Sequence, residues 1–161
     1  MNKIILFCFF MIATFNQIQA QKILPQISLK NMNGKLIDIS KIETNNVTVF
    51  NFWATWCVPC IKELEEINEI YSEWKDETNV KIIAVSVDDA RTVSRVKAMV
   101  NGKEWPYEIL FDTNQELKRA LNVTTIPYLI IVKNNKIVYT HSGYTYGSEI
   151  ELYEKIKQFS N

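Results

Sequence analysis

Residues 47–60 read VTVFNFWATWCVPC, an apolar run that ends in a Cys-x-x-Cys pair. The run from Val47 to Trp53 is β-branched and aromatic without a clean alternation, which is typical of a strand buried on both faces. Pro59 is tolerated in the first turn of a helix because that turn has no intrahelical N–H bond to lose. The stretch therefore predicts a central strand followed at once by a helix, with the cysteines at the junction.

The spacing of Cys57 and Cys60 suits dithiol–disulfide exchange. The first turn of a helix brings residues i and i+3 within the roughly 4.4–6.8 Å Cα separation of a disulfide. The first sulfur lies near the helix N-terminus, where partial positive charge and free N–H groups stabilise a thiolate. We therefore predict a redox-active disulfide in which Cys57 attacks the substrate and Cys60, shielded within the turn, resolves the mixed disulfide.

Composition places the chain among ordinary globular proteins. Its 161 residues suit one domain with a real hydrophobic core, and 47% of them are apolar and 22% charged. Lys plus Arg equals Asp plus Glu, 18 each, so no strong field favours nucleic acid or an acidic membrane surface. We expect no nucleic-acid partner.

The N-terminus has the pattern of a secretory signal peptide. Lys3 precedes twelve largely apolar residues, 4–15, and the small residue Ala20 follows. Twelve apolar residues fall short of the roughly 20 that span a bilayer. We predict an exported, periplasmic protein that is cleaved near Ala20, leaving a domain of residues 21–161. Ile18 is a poor residue for a cleavage site, so an uncleaved membrane anchor is the alternative.

Cleavage also bears on the role of the cysteines. Cys8 lies in the discarded stretch, so the mature chain keeps only Cys57 and Cys60. A disulfide between them closes a very short ring, and cross-link stabilisation grows with ring size. A structural role is therefore the weaker interpretation of this pair.

The rest of the chain alternates strand-like and helix-like segments. Strands are predicted at 26–29 and 36–39 around the Asn33-Gly34 turn, then at 81–87, 107–111, 128–133 and 136–140. Helices are predicted at 59–74, from Asp88-Asp89 to about 100 before Asn101-Gly102, at 114–121 and at 148–159. The residues predicted to face inward are Ile61, Leu64, Ile67, Ile70, Tyr71 and Trp74 in the first helix and Ile150, Leu152, Tyr153, Ile156 and Phe159 in the last.

A strand–helix–strand unit crosses over right-handedly and makes parallel neighbours. The predicted fold class is α/β, a mixed sheet flanked by helices on both faces.

Two motifs carry a family likeness. Residues 52–60, FWATWCVPC, and the later Thr125-Ile126-Pro127 resemble the thioredoxin fold, and more narrowly the exported TlpA/ResA-like thiol–disulfide oxidoreductases. The resemblance covers roughly residues 25–160, with an N-terminal β-hairpin and an αβ insertion at 89–111, between the central βαβ unit and the last hairpin. It implies a cis bond before Pro127 that packs against the cysteines.

The resemblance also implies a substrate-binding groove. Its expected members are Trp56, Val58, Pro59, Ile126 and Pro127. We expect Trp53 to border the same groove, and Trp74 and Trp105 to lie in the core.

The chain departs from cytosolic thioredoxin at Asn51, where the resemblance would place a buried acid. An amide cannot titrate, so that role cannot be carried over. Glu63 is the substitute, because it lies one helical turn after Cys60 on the same side of the helix and matches an acid at this offset in the ResA-like reductases. We predict that Glu63 takes the proton from Cys60. The alternative is a solvated charge in the acidic stretch 63–66.

The direction of exchange follows from Pro59. Strong oxidants of the DsbA kind carry His at this position, and a neutral Pro cannot stabilise the Cys57 thiolate as a charged imidazole does. The resemblance then implies a reductase of disulfides in exported proteins, with apocytochrome c cysteines among the candidates, recharged by a membrane thiol conduit. We expect a monomer without a cofactor.

Other functions fit the residues less well. A structural zinc site lacks two ligands, since His141, expected to be exposed, is the one histidine, and haem attachment needs His where Ile61 stands. A thiol peroxidase on this fold needs Thr where Ala54 stands. The alternative outside enzymes is a holdase that binds exported chains beside Pro127, with incidental redox activity.

Overall fold

The computed structural model describes residues 22–160. The predicted signal peptide and the predicted cleavage point near Ala20 lie outside the described residues. Between residues 22 and 160, no helix is long and apolar enough to cross a membrane.

One mixed sheet forms the centre of the molecule. Its strands are β1 (Ser28–Asn31), β2 (Leu36–Asp38), β3 (Thr48–Trp53), β4 (Lys81–Ser86), β5 (Glu108–Phe111), β6 (Tyr128–Lys133) and β7 (Lys136–Ser142). The helices are α1 (Val58–Thr78), α2 (Val93–Lys103), α3 (Glu116–Ala120) and α4 (Ser148–Ser160), with a 3₁₀ turn at Ile39–Lys41. The strand order is β2-β1-β5-β4-β3-β6-β7, with β3, β4 and β5 parallel and the other neighbours antiparallel. The predicted fold class and the N-terminal hairpin are confirmed.

The strand before the cysteines is buried along its whole length. All six residues of β3 are buried, because β4 and β6 pair with its two edges and both of its faces are covered. This explains the missing alternation in the sequence. Asn51 lies at the middle of β3, opposite Ala84 on one side and Leu129 on the other.

Helix α1 begins directly after this strand and runs four residues past its predicted end. It stops at Asn79, whose left-handed φ of 53° is one that Asn tolerates at a helix C-terminus. Leu64, Ile67, Tyr71 and Trp74 are buried, as the pattern predicts. Glu63 is also buried, so it is not the solvated charge that the alternative interpretation predicts.

The boundaries predicted for α2 are wrong at both ends. The helix begins at Val93, after Thr92, because the carboxylate of Asp88 binds elsewhere and does not cap it. It continues through Gly102 and ends before Glu104, which has a φ of 52°.

Helix α4 packs against α1, and the rings of Trp74 and Tyr153 stack with centroids 5.1 Å apart. Leu152 and Ile156 are buried as predicted. Ile150 is 65% exposed, against the prediction, because it precedes Leu152 by two residues and so lies on the opposite side of the helix.

The tryptophans divide differently from the prediction. Trp74 and Trp105 are buried, as expected. Trp53 is also fully buried, with its ring edge-to-face against Trp105 at 5.0 Å, so it does not border a surface groove.

Candidate active site

The cysteine pair lies at the carboxyl end of β3, at the start of α1. Cys57 is the residue that precedes the helix, and its Cα is 5.3 Å from that of Cys60. The structure joins the two sulfurs in a disulfide. Cys57 is 5% exposed and Cys60 is fully buried, so Cys57 is the sulfur that a partner can reach first. The order of attack itself stays a prediction.

A buried acid holds the loop that carries Cys57. Asp88 is 2% exposed, and one of its oxygens accepts from the Thr55 backbone N–H at 2.8 Å and from Ser86 Oγ at 3.0 Å. The other oxygen accepts from Thr55 Oγ1 at 2.6 Å. Asp88 therefore ties the end of β4 to the loop before the cysteines.

Sequence reasoning missed the role of Asp88 by treating it as a helix cap. The available signal was its place directly after a buried strand that runs parallel to β3, since the carboxyl ends of neighbouring parallel strands meet at one edge of a sheet.

Glu63 is buried on α1, one helical turn after Cys60, and is not solvated. Its side chain is 3% exposed, and Asn51 Nδ2 donates to its Oε2 at 2.6 Å. Burial raises the pKa of Glu63 from 4.5 to about 7, and the hydrogen bond from Asn51 offsets part of that rise. A carboxyl that titrates near neutral pH, one helical turn after Cys60, can both accept and return a proton.

The proline predicted to be cis is cis: the Ile126–Pro127 bond has that geometry. The carbonyl of Pro127 accepts from the Gly143 N–H at 2.9 Å, which ties it to the end of β7. Pro127 is buried and Ile126 half-buried.

The residues next to the cysteines present an apolar surface. Trp56 is 65% exposed and Val58 is 75% exposed, and Pro59 is exposed as well. Large apolar side chains that stay this exposed beside a reactive pair are available to a bound polypeptide.

His141 is half-buried, which corrects the expectation that it is simply exposed. Its ring stacks on that of Tyr139 at 6.5 Å, and it lines a small cavity together with Glu63. In the part of the chain that the structure describes, no group of three or more His, Cys, Asp or Glu side chains could hold a metal ion.

Residues 20–141 match the model of the AhpC/TSA family. The chain belongs to this family. It is 31% identical to a thiol-disulfide oxidoreductase ResA of Bacillus thuringiensis (strain Al Hakam) over 140 residues, which cover 86% of this chain and 79% of that relative. The ResA of Bacillus subtilis (strain 168) is 29% identical over 130 residues, 80% of this chain and 70% of the relative. The chain is therefore an enzyme of the thiol–disulfide oxidoreductase type.

Solved structures share the fold of this chain. A thioredoxin-like protein of Porphyromonas gingivalis is 45% identical and superposes with a TM-score of 0.76, covering 85% of this chain and 91% of that one. StoA of Bacillus subtilis, at 22% identity, shares the fold with a TM-score of 0.62 over 81% of this chain and 99% of its own. The predicted thioredoxin-like fold and the ResA-like resemblance are confirmed.

Proposed function

We propose that this enzyme reduces disulfides in exported proteins, with Cys57 as the attacking sulfur, Cys60 as the resolving sulfur and Glu63 as the base. The observation that carries the proposal is the placement of a buried carboxyl one helical turn after a buried cysteine. A thiol that must lose its proton inside the protein needs an acceptor there, because bulk water cannot reach it.

The proposed reaction consists of two consecutive thiol–disulfide exchanges. The Cys57 thiolate attacks one sulfur of the client disulfide, and the other client sulfur leaves as a thiolate. Glu63 takes the Cys60 proton, the Cys60 thiolate attacks the Cys57 sulfur, and the second client sulfur leaves. The client gains two electrons, and the enzyme ends as the Cys57–Cys60 disulfide. A thiol donor must then return the enzyme to its dithiol form, and we propose a membrane thiol conduit for this step.

The start of α1 stabilises the Cys57 thiolate. The helix is 21 residues long with Cys57 as its N-cap, and of its first turn only the Val58 and Cys60 N–H groups precede the first helical bond, since Pro59 has no N–H. Each unit by which a thiol pKa falls corresponds to about 1.4 kcal/mol, and a helix N-terminus supplies about 0.3–2 kcal/mol. This is enough to raise the thiolate fraction severalfold at neutral pH.

The neutral Pro59 supports the reducing direction. It adds no charge to stabilise the Cys57 thiolate further, so the dithiol form is not strongly favoured. We expect a reduction potential nearer to thioredoxin's roughly −270 mV than to DsbA's roughly −120 mV. Equilibration of the purified enzyme with glutathione buffers measures it, and a value near that of DsbA would reverse the proposed direction.

The proposed client is an extended segment of an exported chain. Trp56 and Val58 offer apolar contact beside Cys57, and the cis bond before Pro127 supports pairing of the Ile126 backbone with an extended strand of the client. Apocytochrome c cysteines are one client of this kind. The N-terminal pattern supports a periplasmic location, with a monomeric domain of residues 21–161 or an anchored one if cleavage fails.

Insulin reduction separates this proposal from the holdase alternative. A variant with both Cys57 and Cys60 changed to Ser must lose all reductase activity, because no other described residue is a thiol. Insulin reduction that survives in this variant would contradict the assignment.

A further inference from the structure

A small cavity lies beside Glu63, between α1, the β6–β7 hairpin and the first turn of α4. Its polar lining comes from Glu63, Tyr139, His141, Ser148, Glu149 and Glu151, and its apolar lining from Ile67, Leu129 and Leu152. The volume is about 10 Å³, which is the space that one water molecule needs. The site is polar on several sides, as a buried water requires.

Glu63 uses only part of its hydrogen-bonding capacity. Among residues 22–160, Asn51 supplies the one hydrogen bond to its carboxyl, at Oε2. Its second oxygen has no partner in that part of the protein, and the side chain lines the cavity. A base that accepts a proton in every turnover must also release it, and a side chain that is 3% exposed has little contact of its own with bulk water.

Glu149 connects the same cavity to the surface. It lies in the first turn of α4, is half-buried as a residue, and lines the cavity. Its Oε2 is buried and, within the described residues, has no hydrogen-bond partner. Tyr144 Oη nearby is a second buried atom in the same condition, and burial followed by the charge of Glu149 raises the Tyr144 pKa. Tyr144 does not line the cavity, whereas Glu149 does, and a buried, unpartnered oxygen such as Glu149 Oε2 at a water-sized cavity is the kind of atom that a bridging water satisfies.

We propose that Glu149 relays the proton of Glu63 to solvent through a water in this cavity, an inference that rests on the proposed role of Glu63 as base. The Cys60 thiol loses its proton to the Glu63 carboxylate. The Glu63 O–H then donates to the water, the water passes a proton to the Glu149 carboxylate, and Glu149 releases it to bulk solvent. When the enzyme is recharged, the same path returns a proton to Cys60.

Other titratable groups face this region from each element around it. They are Lys62 and Glu66 on α1, Tyr107 before β5, Tyr139 and His141 on β7, Tyr144 in the loop after β7, and Glu151 on α4. Tyr107 Oη donates to the Leu64 carbonyl at 2.8 Å, and burial raises its pKa well above the ordinary value, so it holds its proton. Glu151 is exposed and accepts from Tyr139 Oη at 3.1 Å. Glu151 also lines the cavity, but of these two acids of α4 Glu149 is the one with a buried oxygen that has no partner among the described residues.

The test compares Glu149→Gln with a matched control, Glu154→Gln. Glu154 is an exposed acid on the same helix that pairs with Lys157 and does not line the cavity, so the control removes the same charge elsewhere. The measured quantity is the rate at which a preformed Cys57–peptide mixed disulfide resolves, by rapid quench at neutral pH and low buffer concentration. We expect Glu149→Gln to resolve about tenfold more slowly than wild type, since removing a proton-transfer group costs from tenfold upward. Glu154→Gln should match wild type.

Two further readouts separate proton relay from a structural effect. With a relay lost, the Glu149→Gln rate should show a larger solvent deuterium isotope effect than wild type, and added imidazole should accelerate it by accepting protons at the cavity mouth. A wild-type rate in Glu149→Gln, or a loss that neither heavy water nor imidazole changes, would overturn the relay.

Glu63→Gln distinguishes failure of the relay from failure of the proposed base. If Glu63→Gln is slow and Glu149→Gln is as fast as wild type, only the relay is wrong. If Glu63→Gln itself resolves at the wild-type rate, the role of Glu63 as base is wrong, and the relay falls with it.

Discussion

Glu63 and Asn51 form a buried pair with one acid instead of two. The amide donates to the carboxylate and adds no second negative charge, so Glu63 can still ionise near neutral pH. Two carboxyls at this separation would share one proton, and the pKa values would be driven apart. Asn51 therefore leaves Glu63 as the one titrating group of this buried pair.

The buried charge of Glu63 predicts a pH-dependent stability. Its pKa rises from 4.5 to about 7 on folding, so the native state binds the proton more tightly and loses stability as pH increases from about 4.5 to 7. The shift corresponds to about 3 kcal/mol above pH 7. Glu63→Gln, which is neutral at every pH, should be more stable than wild type by up to about 3 kcal/mol at pH 8, with the difference shrinking toward pH 4.5.

Urea unfolding of both proteins at pH 5 and pH 8 measures this difference. If the extra stability of Glu63→Gln is the same at both pH values, or is larger at pH 5, burial does not raise the pKa of the Glu63 carboxyl.

Asp88 and Asp89 offer a matched pair of substitutions. Asp88 is buried with three close hydrogen bonds, whereas Asp89 is half-buried and pairs with the exposed Arg91. Asp88→Asn replaces one carboxylate oxygen by an NH₂ group, which faces the donors of Thr55 and Ser86 and cannot accept from them. We therefore expect a loss of about 2–3 kcal/mol in the free energy of unfolding. Asp89→Asn should change it by less than about 1 kcal/mol.

The same pair tests whether Asp88 holds the catalytic loop. Asp88→Asn should also slow the reaction of Cys57 with iodoacetamide or change its pH profile, because the loop that places Cys57 loses an anchor. Equal stability and equal Cys57 reactivity in the two variants would contradict this role.

Site residues that are close in the sequence could be predicted to lie together, whereas those far apart in the sequence could not. Cys60 and Glu63 lie on α1 and Cys57 is its N-cap, so the common side of the three follows from helical spacing. Glu149 is 86 positions after Glu63, and no periodicity relates positions on different elements.

Elements with strong local signals were predicted within a few residues. Strand β3 and helix α1 have a continuous apolar run, a proline in the first turn and a clear apolar periodicity. The start predicted for α2 is wrong because an aspartate before a helix can either cap that helix or accept hydrogen bonds from another part of the chain. Asp88 does the second, since it accepts from Thr55. Ile150 was misassigned because the pattern includes one apolar residue on the wrong side of α4.

The β6–β7 hairpin turn predicts a stabilising substitution. Asn134 and Asn135 both have positive φ, 51° and 62°, as a two-residue type I′ turn requires. Asn135 Oδ1 is also buried without a partner in the described part of the chain. Asn135→Gly keeps the backbone bond to Thr44 Oγ1 and removes the unpartnered oxygen, so it should stabilise the fold by about 0.5 kcal/mol.

Asn135→Ala is the control for this substitution. It also removes the oxygen but keeps a Cβ at positive φ, and it should destabilise by about 1 kcal/mol. If both variants shift the denaturation midpoint in the same direction, the turn conformation is not what decides stability at this position.

At the scale of the whole molecule, the topology brings the site to one edge of the sheet. The cysteine pair follows β3, Asp88 follows β4, and these two strands are parallel neighbours, so their carboxyl ends lie side by side. The hairpin and α4 then close over α1 from the other side of β3 and bring His141 and Glu149 to Glu63. The position of the cysteine pair could be predicted from one segment of the sequence, whereas the cavity could be found only from the tertiary structure.

The redox state should couple to the stability of the entire domain. In a strong oxidant such as DsbA the folded protein favours the reduced form, and a reducing enzyme has the opposite preference. We therefore expect the oxidised protein to unfold at a higher denaturant concentration than the dithiol form. Guanidinium titrations of the oxidised and reduced proteins measure this, and a more stable dithiol form would contradict the reductase assignment.

Covalent trapping tests the central claim, exchange through Cys57 with resolution by Cys60, most directly. A Cys60→Ser variant in its free-thiol form is mixed with a disulfide-containing peptide, and the products are analysed by mass spectrometry without reductant. We expect a stable mixed disulfide between the peptide and Cys57, and no such adduct in a Cys57→Ser variant treated for the same time. An adduct that forms equally well through Cys60, or no adduct at Cys57, would contradict it.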